Sequence, residues 1–109
     1  MAVQSKAIVL HVDEARRAAK FWSEALGYEP QADAPDFLAA PNGEGVRIHL
    51  DASDLTHLDL WVDRTNSDLE TEVERLTALG ASRVEWAYPE DADFVVMADT
   101  EGNLFCVIA

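Results

Sequence analysis

A chain of 109 residues that is 49% hydrophobic and 27% charged has the composition of an ordinary globular domain and can bury one core. Eight basic against 21 acidic residues give a formal charge of −13, which repels nucleic-acid phosphates and anionic lipids, so neither is expected as a partner. The single cysteine, Cys106, excludes an internal disulfide, and without a membrane-length apolar run or a secretory signal the expected location is the cytoplasm.

The first half of the chain is predicted to form a β-α-β-β-β unit. Residues 7–12 (AIVLHV) have the residue types of a strand. Asp13 is suited to cap a following helix, whose apolar positions recur at helical spacing and whose end is set by Gly27. Three short β-rich runs separated by turn residues come next, at 28–32, 36–40 and 45–51.

The second half is predicted to repeat this order. Residues 57–62 (HLDLWV) form the strand, and the spacing of Ser67 and Glu70 resembles a capping box at the start of a helix. Gly80 ends that helix. The β-rich runs that follow lie at 82–88, 93–98 and 103–108.

Short sequence matches support an internal duplication. The pair Val12-Asp13 recurs as Val62-Asp63 at an offset of 50, and Gly45 recurs as Gly102 at an offset of 57. The order of the matches is preserved along the chain. The sequence therefore predicts a single domain over residues 1–109, made of two modules at about 1–53 and 54–109.

Strand alternation assigns side chains to a helix-covered face and an opposite face. Leu58, Leu60 and Val62 are predicted to meet the helix, which leaves His57, Asp59 and Trp61 on the other side. The same rule, applied to residues 7–12 and 46–51, puts all three histidines of the chain on the face opposite the helices. The residues predicted to bind a ligand there are His11, Arg47, His49, His57, Asp59, Trp61, Leu104 and Cys106.

Two interpretations of this face stay open. A mixed sheet can leave a polar face in water, and a carboxylate beside a histidine can serve a structural hydrogen-bond network. The apolar company of Trp61, Leu104 and Ile108 instead favours a concave binding site. In that case Asp59, two residues beyond His57, is the candidate catalytic base.

Four segments carry a family resemblance over nearly the whole chain: FWSEALGYEP, HLDLWVD, LTALGASRVEW and ADTEGNLFCVIA. They resemble the glyoxalase, bleomycin-resistance and extradiol dioxygenase proteins of the vicinal oxygen chelate superfamily, and most of all its short glyoxalase-like bacterial branch. The resemblance implies an α+β fold in which two βαβββ modules form a curved mixed sheet around a cavity, with the helices outside. It also implies a homodimer.

The resemblance implies four metal-ligand positions, which fall here on Ala7, His49, His57 and Cys106. Ala7 has no donor atom, and Cys106 stands where a metal-dependent glyoxalase carries a carboxylate. A third ligand would have to be Cys106 or a displaced His11 or Asp59. No cofactor is therefore expected, and the alternative is a divalent metal held by His49, His57 and Cys106.

The function that follows first is binding of an aromatic or cationic small molecule in the central cavity, without a complete metal site. Trp61, the acidic charge and the lost ligand at Ala7 favour it. The alternative is a metal-dependent lyase, isomerase or dioxygenase with Asp59 as base, so the sequence does not decide whether the protein is an enzyme. A structural or regulatory partner domain is a third hypothesis, because fold alone does not fix function.

Overall fold

The computed structural model describes residues 2–109, which divide into two compact units. Residues 6–56 form the N-terminal unit, and residues 2–5 together with His57–Ala109 form the C-terminal unit. Over these described residues the element order is βαβββ followed by βαβββ, which confirms the predicted α+β class and the two modules. No helix within residues 2–109 has the length and apolarity that a membrane span requires.

The N-terminal unit is a mixed four-stranded sheet covered by one helix. Its strands lie in the order β2-β3-β4-β1, with β1 parallel to β4 and the other pairs antiparallel. The elements are β1 (Val3–His11, of which residues 6–11 belong to this unit), α1 (Ala15–Leu26), β2 (Glu29–Gln31), β3 (Ala34–Ala39) and β4 (Arg47–Asp51).

The core of this unit confirms the predicted helix-facing positions. Ile48 and Leu50 are buried in one cluster with Leu38, and Trp22 of α1 packs on it. Leu26 is the last of the apolar positions that the sequence predicts to face the core, and this position was wrong, because Leu26 is 47% exposed. The side chains that complete the cluster are Leu10, Val12, Ala18, Ala19 and Tyr28.

The start of α1 differs from the prediction. The N-cap residue is Glu14, whose side chain makes no capping hydrogen bond. Asp13 lies one residue too early for its carboxylate to serve as the N-cap. At the other end Gly27 terminates the helix as predicted, with φ of 71°, and its N–H donates to the carbonyl of Ser23.

The C-terminal unit has the same architecture. Its strand order is β5-β8-β7-β6, with β5 parallel to β8 and the other pairs antiparallel. Val73 of α2 packs on Val62, Val95, Met97 and Val107. Leu58 is 43% exposed, so the helix-facing side of β5 is only partly covered. The elements are β5 (His57–Val62), α2 (Leu69–Ala78), β6 (Ser82–Arg83), β7 (Phe94–Ala98) and β8 (Leu104–Ile108).

The predicted capping box of α2 is wrong by one residue. Asp68 is the N-cap, and its carboxylate accepts a 2.8 Å hydrogen bond from the N–H of Thr71. The hydroxyl of Ser67 donates instead to the buried carboxylate of Glu72, at 2.7 Å. Ser67 therefore hydrogen-bonds to a side chain of the helix and does not cap a backbone N–H group of the first turn.

The predicted strand at 82–88 is reduced to Ser82–Arg83. The N–H of Val84 still donates to the carbonyl of Val96, but the reciprocal bond from the N–H of Val96 goes to the Tyr88 hydroxyl, at 2.9 Å. A side chain thus takes the place of a strand partner. The β propensity of this run was overridden by that contact.

We expect Gly80→Ala to destabilise the protein far more than Gly27→Ala. Both glycines have positive φ, which strains any L residue, but a Cβ at Gly80 would lie 2.9 Å from Cγ2 of Thr100, whereas a Cβ at Gly27 would meet nothing within 4 Å. The expected loss is about 2–4 kcal/mol for Gly80→Ala and about 1 kcal/mol for Gly27→Ala. Urea unfolding measures both. Equal losses would show that Thr100 moves aside without cost.

Candidate functional site

The sheet register of the C-terminal unit places its chemically active side chains on one face. Asp59 lies beside Cys106, which lies beside Val96, and Trp61 lies beside Ile108, which lies beside Phe94. Side chains of directly paired residues point to the same side of a sheet. The opposite side carries the core residues that α2 covers. We call the surface formed by His57, Asp59, Trp61, Leu104, Cys106 and Ile108 the β5–β8 face.

Three polar side chains converge on this face, and we call them the polar cluster: His57, Asp59 and Cys106. The Nε2 atom of His57 lies 3.3 Å from Oδ1 of Asp59. One donor atom of each of the three residues lies within 4.8 Å of the other two. The side chains of His57 and Asp59 are only 9% and 17% exposed, and Cys106 is half-buried.

This burial sets the chemistry of the cluster. A carboxylate with little water around it attracts cations more strongly than one at the surface, because the local dielectric constant is lower. It also costs desolvation energy unless it is paired, hydrogen-bonded or bound to a metal. The arrangement of His57 and Asp59 is therefore suited to hold a cation, or to orient the imidazole for proton transfer.

An apolar row lies beside the polar cluster. Trp61 is 41% exposed and is followed across the sheet by Ile108 and Phe94. The ring of Tyr88 lies 5.5 Å from that of Phe94 and is also 41% exposed. The β5–β8 face thus offers an accessible indole next to a half-buried acid.

In the N-terminal unit the predicted residues have different surroundings. His49 stacks on Phe37, with ring centroids 3.9 Å apart and planes 8° apart, and the guanidinium carbon of Arg47 lies 5.7 Å from the centre of the Phe37 ring. Sequence reasoning missed Phe37. Its register partner is His49, but the chain between β3 and β4 does not reveal that register. The repeat of Asp36-Phe37 as Asp93-Phe94 was the one available signal.

Asp51 is committed to a turn. Its pKa is lowered, first by the Ser53 N–H and hydroxyl, which both donate to Oδ1 at 2.8 Å, and further by the His49 imidazole and the N–H of Asp54. Nε2 of His49 lies 3.9 Å from this carboxylate. Asp51 therefore organises the chain after β4.

His11 is tied to the same segment. Its backbone N–H donates to the Thr56 hydroxyl at 3.1 Å, and its Nδ1 lies 2.8 Å from the carbonyl oxygen of Asp54. Because a carbonyl only accepts, Nδ1 carries the proton. His11 thus helps to fasten the segment after β4, and its side chain remains 45% exposed.

A separate cleft of about 400 Å³ opens beside the first turns of α1. Val12, Asp13 and Glu14 line it together with helix residues as far as Trp22. None of the residues predicted to bind a ligand lines this cleft. That all eight of them surround one central cavity stays a prediction.

Comparison with known proteins agrees with the fold. The NAD-dependent benzaldehyde dehydrogenase of Legionella pneumophila has a TM-score of 0.64 at 14% identity, covering 94% of this chain and 96% of that one. The methylmalonyl-CoA epimerase of Mycobacterium tuberculosis has a TM-score of 0.54 at 22% identity, covering 98% and 86%. At these identities the likeness shows the fold alone. Among curated proteins, none matches the chain.

A family model covers almost the full length. The model of the glyoxalase-like domain matches residues 7–108. This is a fold of the small-molecule-binding or metalloenzyme type. The sequence match, the duplicated βαβββ order and the two structural neighbours agree, and the chain belongs to the glyoxalase-like domain family.

Proposed function

We propose that the protein binds a small aromatic cation on the β5–β8 face, against Trp61. The observation that carries the proposal is an indole, 41% exposed, on the same strand face as the half-buried carboxylate of Asp59. The two residues are two positions apart on β5, which is about 7 Å along the strand. One planar ligand of two fused rings spans that distance.

The apolar side of the ligand is accommodated by the row beside Trp61. Ile108 and Phe94 follow at successive strand spacings of about 4.8 Å, so the row extends roughly 10 Å across the sheet. A flat ring that stacks on the indole covers part of this row. Burial of apolar area and ring stacking then act together.

The positive charge of the ligand is favoured at two ranges. At short range, the aromatic face of Trp61 and the carboxylate of Asp59 both attract a cation. At long range, the net charge of −13 raises the local concentration of cations around the protein. An anionic ligand of the same shape is repelled at short range by the Asp59 carboxylate and at long range by the negative net charge.

A matched set of ligands tests the proposal. N-methylquinolinium, neutral quinoline and a quinoline carboxylate share one ring system and differ in charge. In Trp22→Phe/Trp86→Phe protein, Trp61 is the remaining indole, so its fluorescence reports on this face. We expect quenching by the cation, with affinity about ten-fold above that for quinoline. Equal affinities, or no quenching, would remove the support for the proposal.

Location and assembly are inferred more simply. The single cysteine, which permits no internal disulfide, supports a cytoplasmic protein. The family resemblance supports a homodimer. Both inferences rest on the sequence.

The polar cluster favours a second candidate, a metal-dependent lyase, isomerase or dioxygenase. Imidazole, carboxylate and thiol groups are all ligands of Zn²⁺, so the residues present fit such an ion. The chemistry that a divalent ion supplies when bound is polarisation of a carbonyl oxygen and a lowered pKa of a coordinated water. In that case the Asp59 oxygen that binds the ion is not free to act as the base.

A further inference from the structure

We infer that His57, Asp59 and Cys106 form a binding site for a thiophilic divalent cation, with Zn²⁺ as the preferred ion. All three ligands belong to the C-terminal unit. This goes beyond the proposed binding of an aromatic cation, which requires no metal, and it specifies the ligand set that the metal-dependent second candidate would use. It also replaces His49 in the ligand set expected from the sequence by Asp59, a residue outside the four positions that the family resemblance implies. The supporting observations are the distances, the donor types and the strand scaffold.

The distances fit a tetrahedral ion. With bonds of about 2.0–2.2 Å, an imidazole nitrogen and a carboxylate oxygen on one Zn²⁺ lie about 3.3–3.6 Å apart. Nε2 of His57 and Oδ1 of Asp59 are 3.3 Å apart. A thiolate bond of about 2.3 Å places sulfur about 3.6 Å from the other donors. One donor atom of each residue already lies within 4.8 Å of the other two, so the Cys106 sulfur needs to come closer by roughly 1.2 Å at most.

The donor types select the class of ion. Thiolate and imidazole suit Zn²⁺ and Co²⁺, whereas Mg²⁺ and Ca²⁺ require oxygen ligands. Cys106 is the only cysteine in the chain, so it alone gives the site its preference for soft ions. Three protein ligands leave one position open for water or a substrate oxygen.

The scaffold holds the donors near this geometry before an ion arrives. His57 and Asp59 alternate onto the same face of β5, and Asp59 is the direct register partner of Cys106 on β8. Both strands are held in a hydrogen-bonded ladder. Val96, next to Cys106 on β7, is only 2% exposed, so the floor beside the sulfur is packed.

The site needs nothing from the N-terminal unit. His49 stacks face to face on Phe37, and Ala7 has no donor atom. His49→Ala is therefore a matched control for His57→Ala, since each variant removes one strand imidazole. Within the C-terminal unit, Glu74→Gln removes an exposed carboxylate and is the control for Asp59→Asn.

The test uses the full chain, freed of metal by chelator and titrated with Zn²⁺ by calorimetry and with Co²⁺ by absorbance. We expect one equivalent of each to bind, a thiolate-to-Co²⁺ charge-transfer band in the near ultraviolet, and no heat with Mg²⁺. His57→Ala, Asp59→Asn and Cys106→Ser should each weaken Zn²⁺ binding by about a hundred-fold or more, and Cys106→Ser should remove the band. His49→Ala and Glu74→Gln should leave binding unchanged.

Three results would overturn the inference: no stoichiometric Zn²⁺ binding, a Co²⁺ spectrum without the thiolate band, or an equal loss of affinity in His49→Ala. The wild-type spectrum decides even where a variant fails to fold. The N-methylquinolinium titration on metal-free protein separates this inference from the proposed function. A bound divalent ion neutralises Asp59, so Zn²⁺ should weaken the binding of the organic cation if both proposals hold.

Discussion

Glu72→Ala is expected to lower the free energy of unfolding by about 3 kcal/mol. Glu72 is 3% exposed, and its carboxylate accepts hydrogen bonds from the Ser67 hydroxyl and from Nε of Arg75. Nη2 of Arg75 lies 3.0 Å from the same carboxylate. Without this carboxylate, the Ser67 hydroxyl and the Arg75 guanidinium lose their shared hydrogen-bond acceptor. The loss is near the low end for a buried pair, because the Arg75 side chain is 32% exposed and can reach water.

The same residue predicts an acid-sensitive stability. The Ser67 hydrogen bond, and then Arg75 and the N–H of Ala2, lower the pKa of Glu72 below its ordinary value despite burial. A lowered folded-state pKa stabilises the protein above about pH 4.5, and this contribution is lost as the pH falls through the folded-state pKa. The pKa is also lowered at four aspartates, which therefore affect the pH dependence of stability in the same direction: Asp51, Asp63, Asp68 and Asp99.

Urea unfolding between pH 7 and pH 3 checks both statements. Glu72→Gln should be less stable than wild type at pH 7, and the difference should shrink as the pH falls. Glu74→Gln, an exposed neighbour on the same helix, should follow the wild-type curve. A Glu72→Ala loss no larger than that of Glu74→Ala would show that the buried carboxylate contributes nothing net.

The sequence pattern predicts the existence of the strands and helices better than it predicts where they begin and end. The predicted strand at 57–62 is β5, because alternating apolar residues and a preceding turn define it. The caps of both helices were each misplaced by one residue. The N-cap position depends on where the first helical turn begins, and several neighbouring polar residues are each able to act as the N-cap. At 82–88 the Tyr88 hydroxyl accepts the hydrogen bond from the N–H of Val96, eight residues further along the chain, and no strand pattern indicates that contact.

The candidate site was likewise predicted only in part. Alternation alone assigned His57, Asp59 and Trp61 to one face, and the parallel register adds Cys106 beside Asp59. The 3.3 Å approach of His57 to Asp59 depends on side-chain rotamers, which no sequence pattern encodes. The stacking of Phe37 on His49 depends on the register of the β3–β4 hairpin. Its connecting loop contains the turn dipeptide Asn42-Gly43, but the loop is too long for that turn alone to fix the register.

Trp61→Ala is expected to weaken binding of N-methylquinolinium about ten- to a hundred-fold, which corresponds to about 1–3 kcal/mol. The reason is that the indole supplies both the stacking surface and part of the attraction for the cation. Trp61→Phe keeps a ring and should recover part of the affinity. Calorimetry measures these affinities without depending on tryptophan fluorescence.

Trp86→Ala is the matched control. Trp86 is 43% exposed and Trp61 is 41% exposed, so the two substitutions remove indoles of similar accessibility. Trp86 follows β6 in the chain and is not one of the residues that form the β5–β8 face, so we expect its loss to leave the affinity for the cation unchanged.

Stability must be measured on the same variants, because an indole that only fills space behaves differently. Loss of a packing residue lowers the unfolding midpoint by leaving a cavity, and it has no selective effect on a cation over quinoline. Loss of a binding residue removes the ligand-dependent rise in stability, which grows as the logarithm of ligand concentration over Kd. We expect N-methylquinolinium to stabilise wild type and Trp86→Ala, and to stabilise Trp61→Ala much less at the same concentration. If Trp61→Ala unfolds more easily but keeps its preference for the cation, the indole is a packing residue and the ligand lies elsewhere.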